Sequence, residues 1–415
     1  MPMFMPMPTQ TQSNNFSERL LTWFAKHGRH DLPWQQHHTD TPNAYWVWVS
    51  EVMLQQTQVV TVMAYFERFI TSFPTVHALA DASWNEVAEH WAGLGYYARA
   101  RNLHKGAKQL VDIINTTGQL PQNVDDWEQI AGVGRSTAGA IVAMGLHGHG
   151  VICDGNVKRV LTRWAGIDAD INKTATTQQL WQLATKLTPK QQSGHFAQAM
   201  MDMGATVCTR NKPACQRCPL QSNCVAKAQG NPTAYPVKAK KKPKPSKHSH
   251  ALLLSDADGK LLWLQRPNSG IWGGLWCLPL QFIKKTNIIQ KTNAIQKAKG
   301  DELLTDGQDD VTYEQEHTLA EQVILEFLKQ QEQQKSDEPA VLQANTTDAN
   351  ATGIKHTLTH FHWHINHKHI TLNNEQVAQL SDVLQMAGCV YQWLDAPTAL
   401  TLGVPKAMVK LFTHV

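Results

Sequence analysis

From Phe16 to about Leu187 the apolar residues recur every three or four positions, broken by Gly and Pro, with few strand-like runs; this pattern predicts an all-α region. Residues 50–69, SEVMLQQTQVVTVMAYFERF, read as a single helix in which Val52, Val59, Met63 and Phe66, continued by Ile70, form a core stripe. Glu51, Gln55 and Gln58 stand at i, i+4 and i+7 and share a different face. Farther on, Val157, Val160, Leu161 and Trp164 mark an amphipathic helix that begins just after Asp154. Past residue 248 the period changes. ALLLS and KLLWLQR, separated by the turn signal DADG, and the run from Thr357 to Ile370 predict strands, so the C-terminal region is expected to be α+β.

The remaining stretches carry little period. Residues 1–15, rich in Met, Pro, Gln and Asn, predict a mobile tail. Residues 231–248 hold four prolines and six lysines without one acid. That composition predicts an extended, solvated basic connector between a domain over 16–230 and another over 249–415. Residues 281–350 are rich in Lys, Gln, Asn and Asp and contain the near-repeat KTNIIQ, KTNAIQ, which predicts a surface insertion; its helix-like part is HTLAEQVILEFLKQQEQQ.

Composition narrows the class. A chain of 415 residues suits two or three domains. Hydrophobic residues make up 42%, as in ordinary globular chains, and charged residues 17%. Thirty-eight Lys and Arg against 34 Asp and Glu leave a net charge of +4, which by itself points to no polyanionic partner. No apolar run approaches the roughly 18 residues of a membrane span, and the N-terminus lacks the basic and apolar blocks of a signal peptide. A soluble, cytoplasmic protein is expected. Seven cysteines are too few for a disulfide scaffold, but four of them, Cys208, Cys215, Cys218 and Cys224, follow C-x6-C-x2-C-x5-C. The cluster predicts a metal centre in a reducing compartment; zinc also takes four thiolates, while the spacing favours iron–sulfur. Arg210, Lys212, Arg217 and Lys227 beside it offer a basic surface for phosphates.

Three further features carry candidate chemistry. The face with Glu51, Gln55 and Gln58 reads either as solvated surface or as a proton donor beside hydrogen-bonding amides. In IAGVGRSTAGAIVAMGL, residues 130–146, Gly132 and Gly134 bracket a tight turn before a helix of small residues; such a turn aims free N–H groups at an anion, although an ordinary helix corner needs the same glycines. Asp154 is placed to cap the helix after it, and a carboxylate fixed there is also oriented to stabilise a developing cation.

A glycine hairpin, an Asp twenty residues later and a four-Cys loop, in that order, resemble the helix–hairpin–helix DNA glycosylase superfamily over residues 16–230. Within it LPWQ at 32–35, SEVMLQQTQV at 50–59, GLGYYARARNLHK at 93–105, DGNVKRVL at 154–161 and AMMDMGATVCTRNKPAC at 199–215 are similar to adenine DNA glycosylases of the MutY type. The resemblance implies a monomeric enzyme of base excision repair that flips adenine out of double-stranded DNA, where it is mispaired with 8-oxoguanine or guanine, and leaves an abasic site. It implies that Glu51 is the acid that protonates the adenine and helps activate water, that Asp154 stays ionised beneath the sugar, and that the four cysteines hold a [4Fe-4S] cluster. Gln55 and Tyr96 match wedge positions, while core packing is the other reading of Tyr96 and Tyr97; Gly132, Val133 and Gly134 match phosphate-binding hairpin positions, with Ala131 replacing the usual proline. Ser136 stands where endonuclease III-type relatives carry the lysine that forms a Schiff base, so a monofunctional enzyme is expected, with Lys158 the amine nearest Asp154 in sequence. The rival readings are an endonuclease III-like or thymine-mismatch glycosylase and a catalytically silent DNA-binding protein.

Residues 252–280, LLLSDADGKLLWLQRPNSGIWGGLWCLPL, are similar to the Nudix-like domain of the same family. The acidic helix signature G-x5-E-x7-R-E-x-x-E-E of Nudix hydrolases is not in the sequence, so pyrophosphate hydrolysis is not expected. Leu358, Thr359 and His360 stand where family members carry a Phe-Ser-His loop that recognises 8-oxoguanine. His356, His360, His362 and His364 alternate with Phe361, Trp363 and Ile365; a metal site is conceivable there, but the plainer expectation puts the rings and Ile365 toward the core and the imidazoles toward water or DNA.

Overall fold

The computed structural model describes residues 8–35, 43–239, 243–283, 317–334 and 353–413. The chain divides into two compact units, residues 1–90 with 96–241, and residues 91–95 with 242–415.

The first unit is helical: α1 (Gln10–His27), α2 (Ala44–Leu54), α3 (Val59–Ser72), α4 (Val76–Asp81), α5 (Trp84–His90), α6 (Tyr97–Thr117), α7 (Val124–Glu128), α8 (Arg135–Ala140), α9 (Gly155–Ala165), α10 (Thr174–Leu187), α11 (Ser193–Asp202) and α12 (Val225–Ala228). Phe16, Leu20 and Phe24 of α1 pack with Val157, Val160 and Leu161 of α9, Leu180 and Leu183 of α10, and Phe196 and Met200 of α11 in one core. In α2 and α7, Trp48 and Trp127 are fully buried with ring centroids 6.1 Å apart.

Three expectations need correction here. The expected tail of residues 1–15 is helical from Gln10, where Thr9 and Gln12 form a capping box that satisfies two donors of the helix start. The single helix expected over residues 50–69 is two, since α2 stops at Leu54 and α3 starts at Val59; Gln56 between them has φ +60°. Glu51 and Gln58 therefore stand on different elements. The basic connector is not extended throughout: Pro232–Ala234 form a 3-10 turn, Tyr235 is buried, and Ile171 N–H donates to Val237 O at 3.2 Å.

Among the described residues the second unit holds a mixed seven-stranded sheet, β1 (Ser246–Ser255), β2 (Leu261–Gln265), β3 (Trp276–Cys277), β4 (Leu280–Phe282), β5 (Ile354–Thr357), β6 (His362–Thr371) and β7 (Tyr391–Leu394). The order is β3-β2-β1-β6-β5, with β4 also pairing β1 and β7 pairing β2; β1 and β6 run parallel from Ser246 opposite His362 to Ser255 opposite Thr371. Both faces are covered, which is why Leu252, Leu253 and Leu254 form an unbroken apolar run. Leu253 and Trp263 face Met408 and Leu411, whereas Leu252 and Leu254 face Ile324 and Phe327 of helix Leu319–Gln334 and Leu380 of helix Asn374–Met386. The expected insertion 281–350 is thus partly core, in β4 and that helix; residues 284–316, with the near-repeat, and 335–352 lie outside the described residues.

On β6, Trp363 and Ile365 are buried, as is Phe361 just before it, and His362 and His364 are half-buried, the alternation expected of them. Among the described residues no helix is long and apolar enough to cross a membrane, and no group of three or more His, Cys, Asp or Glu is gathered as for one metal ion.

Candidate active site

A cleft of about 1890 Å³ in the first unit is lined by Glu51, Gln55, Ser136 and Asp154, together with Arg29, Asn156, Arg159 and Gln198. It exceeds the 300–1,000 Å³ usual for small-molecule pockets and so suits a piece of a larger substrate.

Glu51 sits in the last turn of α2. Burial first, then the charge of Asp154, push its carboxyl up to about 8. Asp154 is the N-cap of α9 and accepts from Val157 N–H at 2.8 Å. Burial raises this acid as well, but backbone N–H groups of Val157 and Asn156 and the charges of Arg159 and Lys158 pull it back. The site therefore holds two carboxyl groups in unlike surroundings: burial favours the proton on both, and on Asp154 alone the backbone N–H groups and nearby cations work against it.

Backbone contact holds Asp154 in place. A Cβ on Gly139 would lie 2.0 Å from Val151 O, and one on Gly150 would lie 2.0 Å from Gly139 O. Only glycine at both positions lets α8 touch the segment that leads into Asp154. Ser136 completes the contact: its Oγ accepts from Cys153 N–H at 3.0 Å. Capping, offered above as the plain reading of Asp154, is thus observed, and the same carboxyl also opens on the cleft.

In the hairpin, Gly132 has φ +79°, which glycine adopts freely, and Gly134 is the N-cap of α8. Val133 is buried. None of Gly132, Val133, Gly134, Tyr96 or Lys158 is among the residues lining the cleft. Tyr96 is 53% exposed, so of the two tyrosines only Tyr97 packs in the core.

The four cysteines are free thiols lining one small cavity of about 30 Å³ with Arg163, Lys227 and Pro232. Burial pushes Cys218 up to about 12 and raises Cys224. Arg163 Nη1 donates to Cys208 Sγ at 3.3 Å, a contact that favours negative sulfur. Four partly buried thiols around one cavity, beside a cation, fit a positively charged group that would take them as thiolates.

In the second unit, Thr359 and His360 are exposed in the turn between β5 and β6, which Leu358 N–H closes by donating to Phe361 O at 3.0 Å. Leu358 packs against the apolar core, so the turn keeps an anchor without an aromatic ring there.

Two groups of functional interest escaped the sequence reading. Asp202, 1% exposed, accepts from Arg29 N–H at 2.7 Å and Nη2 at 2.5 Å and from Gln198 Nε2 at 2.9 Å, steadying two cleft residues. Arg99, 9% exposed, reaches the end of α2. Asp202 is a lone charge in the apolar helical string AMMDMG, and a charge on a core face needs a partner, so that signal was available; Arg99 stands two residues from Arg101 and carries no such mark.

The chain matches the HhH-GPD superfamily base excision DNA repair protein family over residues 49–186 and the NUDIX domain family over residues 250–414. It is 39% identical over 265 residues to the adenine DNA glycosylase of Buchnera aphidicola subsp. Acyrthosiphon pisum, covering 64% of this chain and 73% of that protein. It is 38% identical over 314 residues to the adenine DNA glycosylase of Homo sapiens, covering 64% of this chain and 57% of that protein. A solved structure of a thermostable thymine-DNA glycosylase overlaps 53% of this chain and 98% of its own, with 24% identity and a TM-score of 0.47.

Proposed function

This chain belongs to the adenine DNA glycosylase family, and from that premise we propose that it is a monofunctional enzyme acting as a monomer on double-stranded DNA in which adenine is mispaired with 8-oxoguanine or guanine. The observation that carries the proposal is the meeting of Glu51 and Asp154 in one cleft, both carboxyls raised by burial and Asp154 partly drawn back by backbone N–H groups and by Arg159 and Lys158.

The glycosidic bond of a stacked adenine is out of reach, so the nucleotide must swing into the cleft. Glu51, neutral at physiological pH, gives its proton to N7 of the adenine. The C1′–N9 bond then breaks, its electron pair leaves on the purine, and the Asp154 carboxylate steadies the positive deoxyribose. Glu51, now a carboxylate, takes the proton from the water that adds at C1′, and an abasic site results.

Ser136 has no amine with which to form a Schiff base, and its hydroxyl is engaged by Cys153 N–H. Gln55 and Tyr96 fill the gap left by the extruded base, the N–H groups of Gly132, Val133 and Gly134 meet a backbone phosphate, and Thr359 and His360 read the oxidised base. Cys208, Cys215, Cys218 and Cys224 would hold a [4Fe-4S] cluster, which when bound supplies a rigid cross-link among four loop positions.

The test is incubation with duplexes carrying one adenine opposite each base in turn, followed by alkali cleavage at abasic sites. Release of adenine opposite 8-oxoguanine and guanine supports the proposal. Release of thymine instead, or an efficient covalent DNA adduct on borohydride trapping, overturns it.

A further inference from the structure

The C-terminal end of α2 has an unusual partner. Helix ends leave their last carbonyls without intrahelical donors, and α2 ends with neither Gly nor Pro to turn the chain. Arg99, in the first turn of α6, supplies the missing donors: its Nη1 donates to the carbonyl oxygens of Val52 at 3.0 Å, Met53 at 2.8 Å and Gln55 at 2.5 Å. Its Nη2 donates to Thr57 Oγ1 at 3.2 Å. These bonds straddle Gln56, whose φ of +60° lies in the left-handed region that non-glycine residues seldom enter.

The same residue braces a second left-handed position. Tyr96 has φ +52°; Arg99 N–H donates to Tyr96 O at 2.8 Å, and the guanidinium carbon lies 5.2 Å from the centroid of the Tyr96 ring. Burial lowers the Arg99 guanidinium to about 10, so it remains charged at neutral pH and favours the negative end of α2. A helix cap alone needs one or two carbonyls. Here a single fork reaches past the cap into the next turn and back to the start of its own helix. Strained residues persist where their surroundings over-determine them, and they gather where geometry is used.

We infer that Arg99 is a positioning residue for base extrusion, locking the Gln55–Thr57 turn and the Tyr96 turn into one rigid wedge. The inference rests on the adenine glycosylase reading above. A side chain pressed into a base stack must hold its place against the stack's tendency to close, and two separately mobile turns would yield. The planar guanidinium serves several acceptors in fixed directions; an ammonium at the same place satisfies fewer of them and stacks less well on Tyr96.

Full-length wild-type protein, Arg99→Lys and Arg99→Met are compared under single-turnover conditions on two DNAs: a duplex with adenine opposite 8-oxoguanine, and a duplex with a bulged, unpaired adenine that is already extruded. Misplacement of a positioning group by about an ångström lowers rates by up to about 100-fold, so the expected loss is about 30-fold on the paired substrate and within about 3-fold on the bulge. The pH profile on the bulge is expected to stay that of wild type. Equal losses on both substrates, no loss on the paired one, or a shifted pH profile would overturn the inference, the last two because Arg99 would then act on nothing or on Glu51 itself. Thr57→Val removes one acceptor while leaving Arg99 in place; it is expected to lower the paired rate alone by about 3-fold, and no loss on the paired DNA or an equal loss on both counts against the inference even if the Arg99 variants do not fold. Failure of the functional reading is distinct: wild type would then release adenine from neither DNA.

Discussion

At the scale of single residues, the two carboxyl groups make opposite predictions. A buried acid that keeps its proton to about pH 8 works as a general acid below that value, so adenine release is expected to fall about tenfold per pH unit above it when measured in single turnover. Glu51→Gln removes the transferable proton and is expected to lower the rate at least about 1,000-fold. The same change stabilises the fold. Between the ordinary carboxylate value of 4.5 and about 8, the native chain binds a proton that the unfolded chain has released, so stability declines as pH rises through that window. Glu51→Gln escapes this decline, and urea unfolding at pH 7 is expected to show a gain of about 1–3 kcal/mol, absent at pH 4. Asp154 separates charge from capping. Asn still accepts from Val157 N–H, so Asp154→Asn is expected to keep stability within about 0.5 kcal/mol while losing at least about 100-fold in rate. Asp154→Ala is expected to lose the same activity and about 1 kcal/mol of stability besides.

At the scale of elements, the site depends on two backbones in contact. The Cβ of Gly139→Ala would meet the Val151 carbonyl at 2.0 Å, and backbone, unlike a flexible side chain, has no way to move aside locally. The variant is expected to lose about 3 kcal/mol or more in chemical unfolding, with activity falling further than stability because the displaced segment carries Asp154. The break between α2 and α3 belongs to this scale as well. The 50–69 segment has an uninterrupted helical period and no breaker residue, so a continuous helix is the natural local reading. What ends it is Arg99, more than 40 residues away in sequence, whose guanidinium takes the carbonyls that a further helical turn would have used.

At the scale of the whole molecule, the cysteine loop has little apolar support: Cys208 to Cys224 run through short 3-10 turns, and Leu220 is their one buried apolar residue. Four partly buried thiols and Arg163 hold such a loop well only when a positive group sits among them. Removal of iron is expected to open residues 208–224 to protease while α1, α9, α10 and α11, joined by their own core, stay protected. Limited proteolysis with iron and sulfide analysis measures this; an apoprotein equally resistant there would show that the loop stands without a cofactor.

The order of motifs, the change from a period of 3.6 to one of 2, the spacing of the four cysteines and the cap at Asp154 are local properties, and local chemistry suffices to read them. The alternation on β6 and the helix at Leu319–Gln334 were legible for the same reason. The unlike surroundings of Glu51 and Asp154, the clamp of Asp202 on Arg29 and Gln198, and the bracing of Gln56 and Tyr96 by Arg99 were not. Each depends on desolvation or on a bond between residues far apart in the chain, and both come into being only when packing removes water and brings those residues together.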